Sequence, residues 1–409
     1  MRPKNCKMGD FVFAHLSDVH LGAFREPELR ELNCLAFERA LDACGTADFI
    51  IIAGDLFDSP LPDLSVADRA VRKMRILREQ GKRFYVVYGS HDYSPGEKNV
   101  IDLLESTGLI TKVSLGEYEG EALRLRFIED AETGAKIAGM SARKRGLERE
   151  HFGCLDRKAL EAEDGFKIFV FHSGVEEHKP DFLKGVDGVP LSLFPKGFDY
   201  YAGGHVHARI DAEEKGYGRI VFPGPLFAAD YRDLEDLREN KHGFYLVRVA
   251  GGKAKTEFKP VETAGVEVVE CGATGKSAAD LREELLEKAR ACEAKGKIVL
   301  LKVHGELSSG SPGEVDWNAV RAAFEGAACV KVNRSGLSAP LASGVKIEGN
   351  SRREVEEKLF HELAEGKWDE KPCRPLLDEL KAARPEGEAK QGFEERVAAK
   401  AEKVLEALK

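Results

Sequence analysis

Short apolar runs rich in β-branched and aromatic residues recur along the first 250 residues. Such runs, bounded by glycine and polar residues, are typical of buried β-strands. The segments 28–44 and 64–81 lie between them, carry apolar residues at helical spacing and end at or just before a glycine. The alternation predicts a layered α/β domain with a mixed sheet. The strand candidates are FVFAHL (11–16), DFIIIAG (48–54), FYVVYG (84–89), FKIFVFH (166–172), DYYAGG (199–204), RIVFPG (219–224) and FYLVRV (244–249).

The pattern changes from about Val266. A β-like segment, a helix near 277–294, the strand candidate 297–305, a helix near 316–326 and a last strand at 329–334 predict a small βαβαβ module. We therefore expect a first domain over 1–260 and a second over 265–340.

A third part, 350–409, has two helical patterns, at 352–366 and 393–409, separated by a segment rich in Pro, Gly and Glu. In the last pattern one stripe carries Val397, Ala398, Val404, Leu405 and Leu408. Such a tail cannot form its own core. It is expected either to dock elsewhere on this chain or to bind a partner.

Composition narrows the class of protein. A chain of 409 residues with 43% hydrophobic content has room for two or three cores. Eight scattered cysteines without any C-x-x-C pair argue against a zinc knuckle or a disulfide framework. No apolar run approaches the roughly 20 residues of a membrane span, so we expect a soluble, cytoplasmic protein with no membrane contact. The net charge of −9 argues against a basic surface that coats DNA, so any nucleic-acid contact must be local.

Aspartate and histidine residues follow five of the predicted strands. Because active sites of open α/β sheets form at the carboxyl edge of the strands, we expect these side chains to converge there. Together they form a nitrogen and oxygen site suited to Mn²⁺, Fe²⁺ or Zn²⁺, and one aspartate between two histidine groups can bridge two ions. The chemistry implied is phosphoester hydrolysis. The residues are Asp18, His20, Asp55, His91, Asp92, His172, His205 and His207.

The motifs D-x-H, G-D-x-x-D, G-x-H-D, H and G-H-x-H, in this order over residues 11–210, resemble the calcineurin-like metallophosphoesterase superfamily. The resemblance implies a layered β-sandwich flanked by helices, with a small α+β capping domain and a C-terminal helical tail. It also implies two ions, most simply Mn²⁺, with Asp55 as the bridge. One ion would be held by Asp18, His20, Asp55 and His207, and the other by Asp55, Ser90, His172 and His205.

The third motif carries the catalytic expectations. In the family its histidine stabilises the transition state or protonates the leaving oxygen, which implies this role for His91, with Asp92 fixing its tautomer; Asp92 alone also suits a turn cap. Ser90 stands where the family has a metal-ligating asparagine. A hydroxyl is a shorter and weaker ligand, so weaker binding of the second ion is expected.

Within the superfamily the segments FAHLSDVHLG, AGDLFDS, YYAGGHVHAR and VFPGPL resemble the SbcD and Mre-eleven repair nucleases. That resemblance implies an Mn²⁺-dependent 3′–5′ exonuclease on duplex ends and endonuclease on single strands or hairpins, in double-strand break repair. It also implies a homodimer formed by helices near the active site, for which 64–80 and 97–108 are candidates, although both segments equally suit ordinary helices that cover the sheet. The tail 352–409 would bind an SbcC-like coiled-coil ABC ATPase.

Contacts to DNA phosphates are expected from four basic residues. Two alternatives remain open: a small-molecule phosphodiesterase of the same fold, and a non-catalytic scaffold in which Ser90 weakens metal binding. The four basic residues are Arg25, Arg143, Lys144 and Arg145.

Overall fold

The computed structural model describes residues 9–93, 98–143, 147–183, 185, 188–340 and 390–407, and six single positions between 354 and 380. The strands are β1 Phe11–Leu16, β2 Phe49–Ala53, β3 Arg83–Val87, β4 Thr111–Lys112, β5 Gly116–Glu119, β6 Ala122–Leu125, β7 Ile128–Glu129, β8 Lys136–Met140, β9 Lys167–His172, β10 Tyr200–Gly204, β11 Ile210–Glu213, β12 Arg219–Phe222, β13 Gly243–Ala250, β14 Lys253–Pro260, β15 Val266–Gly272, β16 Ile298–Glu306 and β17 Cys329–Ser338. The helices are α1 Pro27–Ala43, α2 Leu64–Glu79, α3 Val100–Ser106, α4 Glu148–Gly153, α5 Arg157–Glu161, α6 Tyr231–Asp236, α7 Ala278–Ala291, α8 Trp317–Ala322 and α9 Lys390–Ala407.

Two six-stranded sheets form the centre of the fold over the first 260 residues. The first has the order β14-β13-β1-β2-β3-β4, with β1 to β4 parallel and β13 antiparallel to β1. The second has the order β11-β12-β10-β9-β8-β7, with β8, β9, β10 and β12 parallel. The prediction of a layered α/β domain is confirmed, and the layers are two sheets of a sandwich.

The sheets pack face to face over an aromatic core. Phe13 and Phe49 of the first sheet stack at 5.3 Å between ring centroids, and Tyr200 of the second meets Phe13 edge to face at 5.1 Å. In β2, Ile51 faces this core while Ile50 and Ile52 face the core under the helices. A strand buried on both faces reads as a continuous apolar run, which explains the sequence of β2.

Local signals in the sequence set the helix starts. Asp63 caps α2, with its carboxylate accepting from the Ser65 amide at 2.9 Å. Asn99 and Asp102 form a reciprocal capping box at the start of α3. These caps set the residues at which α2 and α3 begin.

The second part of the chain has the predicted order of strand, helix, strand, helix and strand, from β15 to β17 with α7 and α8, and its strands form a three-stranded sheet. By internal packing the chain divides into two compact units. One comprises Met1–Cys271, Glu284–Val303 and Trp317–Arg334, and the other Gly272–Glu283, His304–Asp316 and Ser335–Lys409. The domain boundaries at 260, 265, 340 and 350 stay predictions.

The helix predicted at 393–409 corresponds to α9, whereas most of the helix predicted at 352–366 lies outside the described residues. In α9 the half-buried positions fall at helical spacing and Ala398, predicted for the same stripe, is exposed. In the described parts of the chain, no helix combines the length and the apolar content that a bilayer crossing requires. The half-buried positions are Phe393, Arg396, Val397, Lys400, Ala401 and Val404.

Candidate metal centre

The structure brings the predicted strand-end residues together at one edge of the sandwich. In the first sheet β1, β2 and β3 are parallel, and in the second β9 and β10 are parallel, so the loops after them meet. Backbone hydrogen bonds join the first two loops, among them those from the Asp18 amide to the Gly54 carbonyl at 3.2 Å and from the His20 amide to the Asp55 carbonyl at 2.9 Å.

The backbone of this edge is strained at the residues predicted to hold metal. The non-glycine residues with positive φ in the described chain are Asp18 at 50°, His20 at 47°, Asp55 at 50° and His205 at 84°. Each costs on the order of 1–3 kcal/mol, and such conformations persist where surrounding contacts enforce them. Strain confined to four candidate ligands points to a functional site.

Two glycines in the motifs are required by close packing. A β-carbon at Gly89 would lie 2.0 Å from the Asp55 carboxylate, and one at Gly54 would lie 2.2 Å from the His172 ring. Both distances are far below contact. The glycines therefore let the loops after β2 and β3 approach the candidate ligands.

Asp18, His20 and His207 form the first group of donors, with ligand atoms within 4.8 Å of one another. Asp18 Oδ2 and His20 Nε2 are buried and have no hydrogen-bond partner within the described residues. Buried polar atoms are normally satisfied. Buried ligand atoms that lie close together and lack hydrogen-bond partners are suited to binding a cation.

Asp18, Asp55 and His172 form the second group. The His172 ring contacts the Ala53 carbonyl through Nδ1 at 2.8 Å, which leaves Nε2 facing Asp55 Oδ2 at 3.1 Å. The same Asp55 oxygen lies 3.5 Å from His20 Nε2. Asp55 thus stands between the two histidine groups, as a bridging ligand must.

His205 and Ser90 complete the set. The His205 amide donates to Asp18 Oδ1 at 2.9 Å, and its ring lies 5.2 Å from the His172 ring, centroid to centroid. The Ser90 hydroxyl donates to Asp55 Oδ2 at 3.3 Å. Ser90 is therefore beside the carboxylate expected to bridge, although its side chain is shorter than an asparagine.

His91 lies at the exposed rim of this edge, with 48% of its side chain accessible. Its Nδ1 is 3.1 Å from the Asp58 carbonyl and 3.4 Å from the Asp58 carboxylate, which also contacts His20 Nδ1 at 3.2 Å. The hydrogen bond to Asp58 raises the pKa of His91 to about 9. Asp58 was missed from the sequence, although it closes the second motif, G-D-x-x-D.

The expected contact between Asp92 and His91 is replaced by another. The Asp92 carboxylate is fully buried and accepts from the amides of Gly89 at 3.0 Å, Phe57 at 3.2 Å and Leu56 at 3.4 Å. Because these amides belong to the loops after β2 and β3, Asp92 fastens the loops together and Asp58 takes the place beside His91. Burial and the nearby charge of Asp55 raise the pKa of Asp92 to about 6.

Asp233 is a second residue that sequence reasoning missed. Its buried carboxylate contacts His207 Nδ1 at 2.8 Å and accepts from the Ala229 amide at 2.8 Å. Metal-binding histidines commonly donate their second ring nitrogen to a carboxylate in this way. Asp233 lies in α6, away from any strand end, so no motif marked it.

The electrostatics favour cations. Burial alone would lower the pKa of His172, but the Asp55 charge raises it to about 10, and Asp233 and Asp18 raise that of His207 to about 9 in the same sense. Burial would raise the pKa of Asp55, yet His172 and His20 hold it well below its usual range. These buried carboxylates stabilise protons on the neighbouring histidine rings. They would stabilise divalent ions in the same way when such ions replace the protons.

The basic residues predicted to contact DNA are placed in part. Arg25 is exposed in the segment that follows His20. Arg143 is exposed, and its guanidinium lies 3.1 Å from His151 Nε2. Lys144 and Arg145 lie outside the described residues.

Several known proteins are similar to this chain in sequence. The sequence model of the family "Calcineurin-like phosphoesterase" matches residues 11–209. The chain is 30% identical over 323 residues to the DNA double-strand break repair protein Mre11 of Methanopyrus kandleri, covering 76% of this chain and 68% of that protein. It is 28% identical to the protein of the same name from Archaeoglobus fulgidus, covering 94% and 88%. It is 29% identical to the uncharacterized metallophosphoesterase YhaO of Bacillus subtilis, covering 64% of each chain.

The matched region from 11 to 209 contains the five strand-end motifs, and the alignment with the Archaeoglobus protein extends over most of the remaining chain. The chain therefore belongs to the Mre11 family of calcineurin-like phosphoesterases.

Proposed function

We propose that this chain is a metal-dependent DNA nuclease that acts on duplex ends as a 3′–5′ exonuclease and on single strands or hairpins as an endonuclease, in double-strand break repair. The observation that carries the proposal is the buried Asp55 carboxylate between two histidine groups, with unsatisfied donor atoms on Asp18, His20 and His172. The names of the Mre11 relatives support DNA as the substrate.

Two divalent cations, Mn²⁺ or alternatively Fe²⁺ or Zn²⁺, fit the donor set. Asp18, His20, Asp55 and His207 would hold one, and Asp55, Ser90, His172 and His205 the other. Such a pair supplies a nucleophile at neutral pH and stabilises charge on the phosphoryl group. Asp233 fixes the His207 ring so that Nε2, which lies 3.7 Å from Asp18 Oδ1, faces the site.

His91 is the group that moves a proton. Asp58 holds its Nδ1 side and, in the metal-free protein, raises its pKa to about 9, which favours a protonated ring. Its Nε2 side is then able to donate to the oxygen that leaves phosphorus, a contribution of roughly 10²–10⁴ in rate. Exposure at the rim places this proton where a bound strand can reach it.

Arg25, Arg143, Lys144 and Arg145 are proposed to bind phosphates, which gives register without sequence reading. A small number of such contacts suits a chain with a net charge of −9. Affinity for DNA should then fall with salt in proportion to the contacts made.

A homodimer is proposed through α2 and α3. Leu64 at the start of α2 is 86% exposed, Leu61 just before it 78% and Leu103 on α3 62%. The Val100 amide donates to the Pro60 carbonyl, which places α3 beside the segment that leads into α2. Exposed apolar side chains grouped in this way are typical of an interface.

Sedimentation tests the dimer. The double variant Leu64→Glu/Leu103→Glu should sediment as a monomer at concentrations where the parent is a dimer. Leu115→Glu, at a residue that is 41% exposed outside α2 and α3, is the control and should stay dimeric. A monomeric parent, or dimers of all three, would remove this interface from the proposal.

The tail 352–409 is proposed to bind an SbcC-like coiled-coil ABC ATPase. The half-buried stripe of α9 at helical spacing supports a helix that docks by one face. Removal of 352–409 should abolish binding of the ATPase and preserve metal-dependent cutting by the remaining chain, because no metal motif lies in the tail. Retained ATPase binding would contradict this role.

The nuclease is tested by nucleotide release from blunt and 3′-recessed duplexes with Mn²⁺, Mg²⁺ or EDTA, for the parent beside Ser90→Asn. We expect both to cut with Mn²⁺ and neither with EDTA. Cutting by the asparagine form alone would favour the scaffold role, and hydrolysis of small phosphodiesters without DNA cutting would favour the small-molecule enzyme.

A further inference from the structure

A pocket of about 340 Å³ lies beside the loop that carries His91. One wall consists of Tyr88, which precedes this loop, and of Tyr93 and Asn99, which follow it. A second wall, next to Tyr88, is formed by residues 139–143, at and after the end of β8. Because β8 runs parallel to β9, which ends in His172, this wall emerges at the edge of the sandwich that holds the candidate metal ligands.

Hydrogen bonds tie the pocket walls to that loop. The Asn99 side chain donates to the Asp92 carbonyl at 2.6 Å. The Tyr88 amide donates to the Ser141 hydroxyl at 2.9 Å, and the Ala142 amide to the Tyr88 carbonyl at 3.0 Å. The pocket is therefore fixed relative to residues 89–92 and forms a preformed site next to the metal centre.

The pocket is lined by two cations, Arg143 and Lys98, and one carboxylate, Asp102. The Asp102 carboxylate is paired with Lys112 at 2.7 Å, which Glu105 also contacts at 2.9 Å. The Glu148 carboxylate accepts from the Arg143 backbone amide at 2.9 Å, and the Arg143 guanidinium contacts His151. Burial and the neighbouring Arg143 lower the pKa of His151 to about 4, so His151 is neutral and adds no charge. An anionic ligand in the pocket would meet the Arg143 guanidinium and the Lys98 ammonium.

Aromatic rings line the same space. Tyr118 is 55% exposed, and its hydroxyl lies 2.9 Å from His151 Nδ1, while the Arg143 guanidinium lies 3.1 Å from the other nitrogen of that ring. His151 thus holds an aromatic face and a cation at a fixed separation. Tyrosine faces stack on nucleobases, and guanidinium groups bind phosphate through paired hydrogen bonds.

We propose that this pocket binds one unpaired nucleotide of the DNA substrate, with the base against Tyr118 and the phosphate on Arg143. The inference rests on the proposed nuclease function and adds a subsite to it. A volume of about 340 Å³ is at the lower end of the range of about 300–1,000 Å³ for small-molecule sites and suits a single nucleotide. The same chemistry would accept a free nucleoside monophosphate, including a released product.

The test is binding in EDTA, where no cutting occurs. Calorimetric titration with dAMP and with inorganic phosphate measures the free ligand. A hairpin with a single-stranded overhang carrying 2-aminopurine, whose fluorescence falls on stacking, measures the DNA strand. The variants are Arg143→Gln and Tyr118→Ala, with Tyr118→Phe as the conservative change. Arg126→Gln, at an exposed arginine just after β6 and outside the pocket, is the control. Melting curves check that each variant folds.

We expect Arg143→Gln and Tyr118→Ala each to weaken dAMP binding roughly 10-fold, the effect of losing one charge-assisted hydrogen bond or one stacking partner. Tyr118→Phe should keep the quenching of 2-aminopurine, and Arg126→Gln should match the parent. Quenching in the overhang identifies the substrate strand as the occupant, whereas dAMP binding without quenching overturns that assignment and leaves a free-nucleotide site. Binding of phosphate and dAMP with equal affinity, or an equal loss in Arg126→Gln, overturns the pocket altogether.

These experiments distinguish a failure of the nuclease proposal from a failure of the pocket proposal. If the parent binds dAMP in EDTA but releases no nucleotide from DNA with Mn²⁺, the nuclease proposal is wrong and the nucleotide pocket stands. If the parent cuts DNA and the pocket variants bind dAMP like the parent, only the pocket is wrong.

Discussion

Replacement of Asp233 by asparagine should weaken Mn²⁺ binding at the position of His207. One Asp233 oxygen contacts His207 Nδ1 at 2.8 Å and also accepts from the Ala229 amide at 2.8 Å. An asparagine oxygen in the same position keeps both contacts but carries no charge, so it is a weaker acceptor for the proton on His207 Nδ1. His207 Nε2, the nitrogen that faces Asp18, then becomes a weaker ligand for a cation.

The size of the loss follows from the geometry. Removing a carboxylate that orients a ligating histidine typically costs 10–100-fold in metal affinity, or about 1.4–2.7 kcal/mol. The Asp233 side chain is only 3% exposed, so water screens little of the lost charge, and a loss within this range is expected. The fold should survive, because asparagine has the same shape and can still accept from the Ala229 amide.

Calorimetric titration of the metal-free protein with Mn²⁺ measures the effect. Asp236→Asn is the matched control, since Asp236 lies on the same helix and contacts His242 Nε2 at 3.0 Å, but His242 is not a candidate ligand. We expect Asp233→Asn to lose affinity and Asp236→Asn to keep it. Equal affinity in Asp233→Asn and the parent, or an equal loss in both variants, would refute the role of Asp233.

Three further predictions concern the same site. Ser90→Asn should raise the affinity of the weaker Mn²⁺ site roughly 10-fold, about 1.4 kcal/mol, and identical titrations of the two proteins would contradict Ser90 as a ligand position. His91→Ala should slow DNA cutting by roughly 10²–10⁴ with Mn²⁺ affinity unchanged, and slow bis(p-nitrophenyl) phosphate hydrolysis much less, because nitrophenolate leaves without a proton; unchanged DNA cutting would exclude the role. In EDTA, the melting temperature should fall as the pH rises from about 7 to about 9, since the pKa of His207 is raised from 6.5 to about 9 and the stabilisation, complete below 6.5, is lost through that window. Saturating Mn²⁺ should remove most of this slope, and a melting temperature that rises with pH would contradict it.

The positions of Asp and His residues at the strand ends could be predicted from the sequence, because each depends on a local pattern. An apolar run followed by Asp or His identifies both the strand and the position at its end, and parallel strands bring such ends together. The apolar runs do not indicate which strands are neighbours in a sheet. Strands buried on both faces look alike in one mixed sheet and in a sandwich of two sheets, so the pattern alone did not divide them.

Polar edge strands were also missed. β14 alternates between exposed and half-buried positions and carries lysine and glutamate, and it pairs with β13 along its whole length. Charged side chains are common on edge strands because they prevent pairing with other molecules. A search for apolar runs passes over such a strand.

Asp58, Asp92 and Asp233 show where local reasoning about the site ends. Asp92 follows His91 directly, yet the turn at 89–92 directs its carboxylate to amides of the loop after β2. Asp58 and Asp233 reach His91 and His207 across 33 and 26 residues of chain. Contacts of that kind are set by the packing of loops and helices, which leaves no periodic signal in the sequence.

The position of Asp58 links two parts of the site that would otherwise be independent. Its carboxylate lies 3.2 Å from the Nδ1 of His20, a candidate metal ligand, and 3.4 Å from the Nδ1 of His91, the candidate acid. The Asp58 carboxylate stabilises a proton on the His91 ring less strongly when the His20 ring also carries or faces a positive charge. Occupancy of the metal position and the acidity of His91 are thus thermodynamically linked, and the pH profile of cutting should shift with metal concentration.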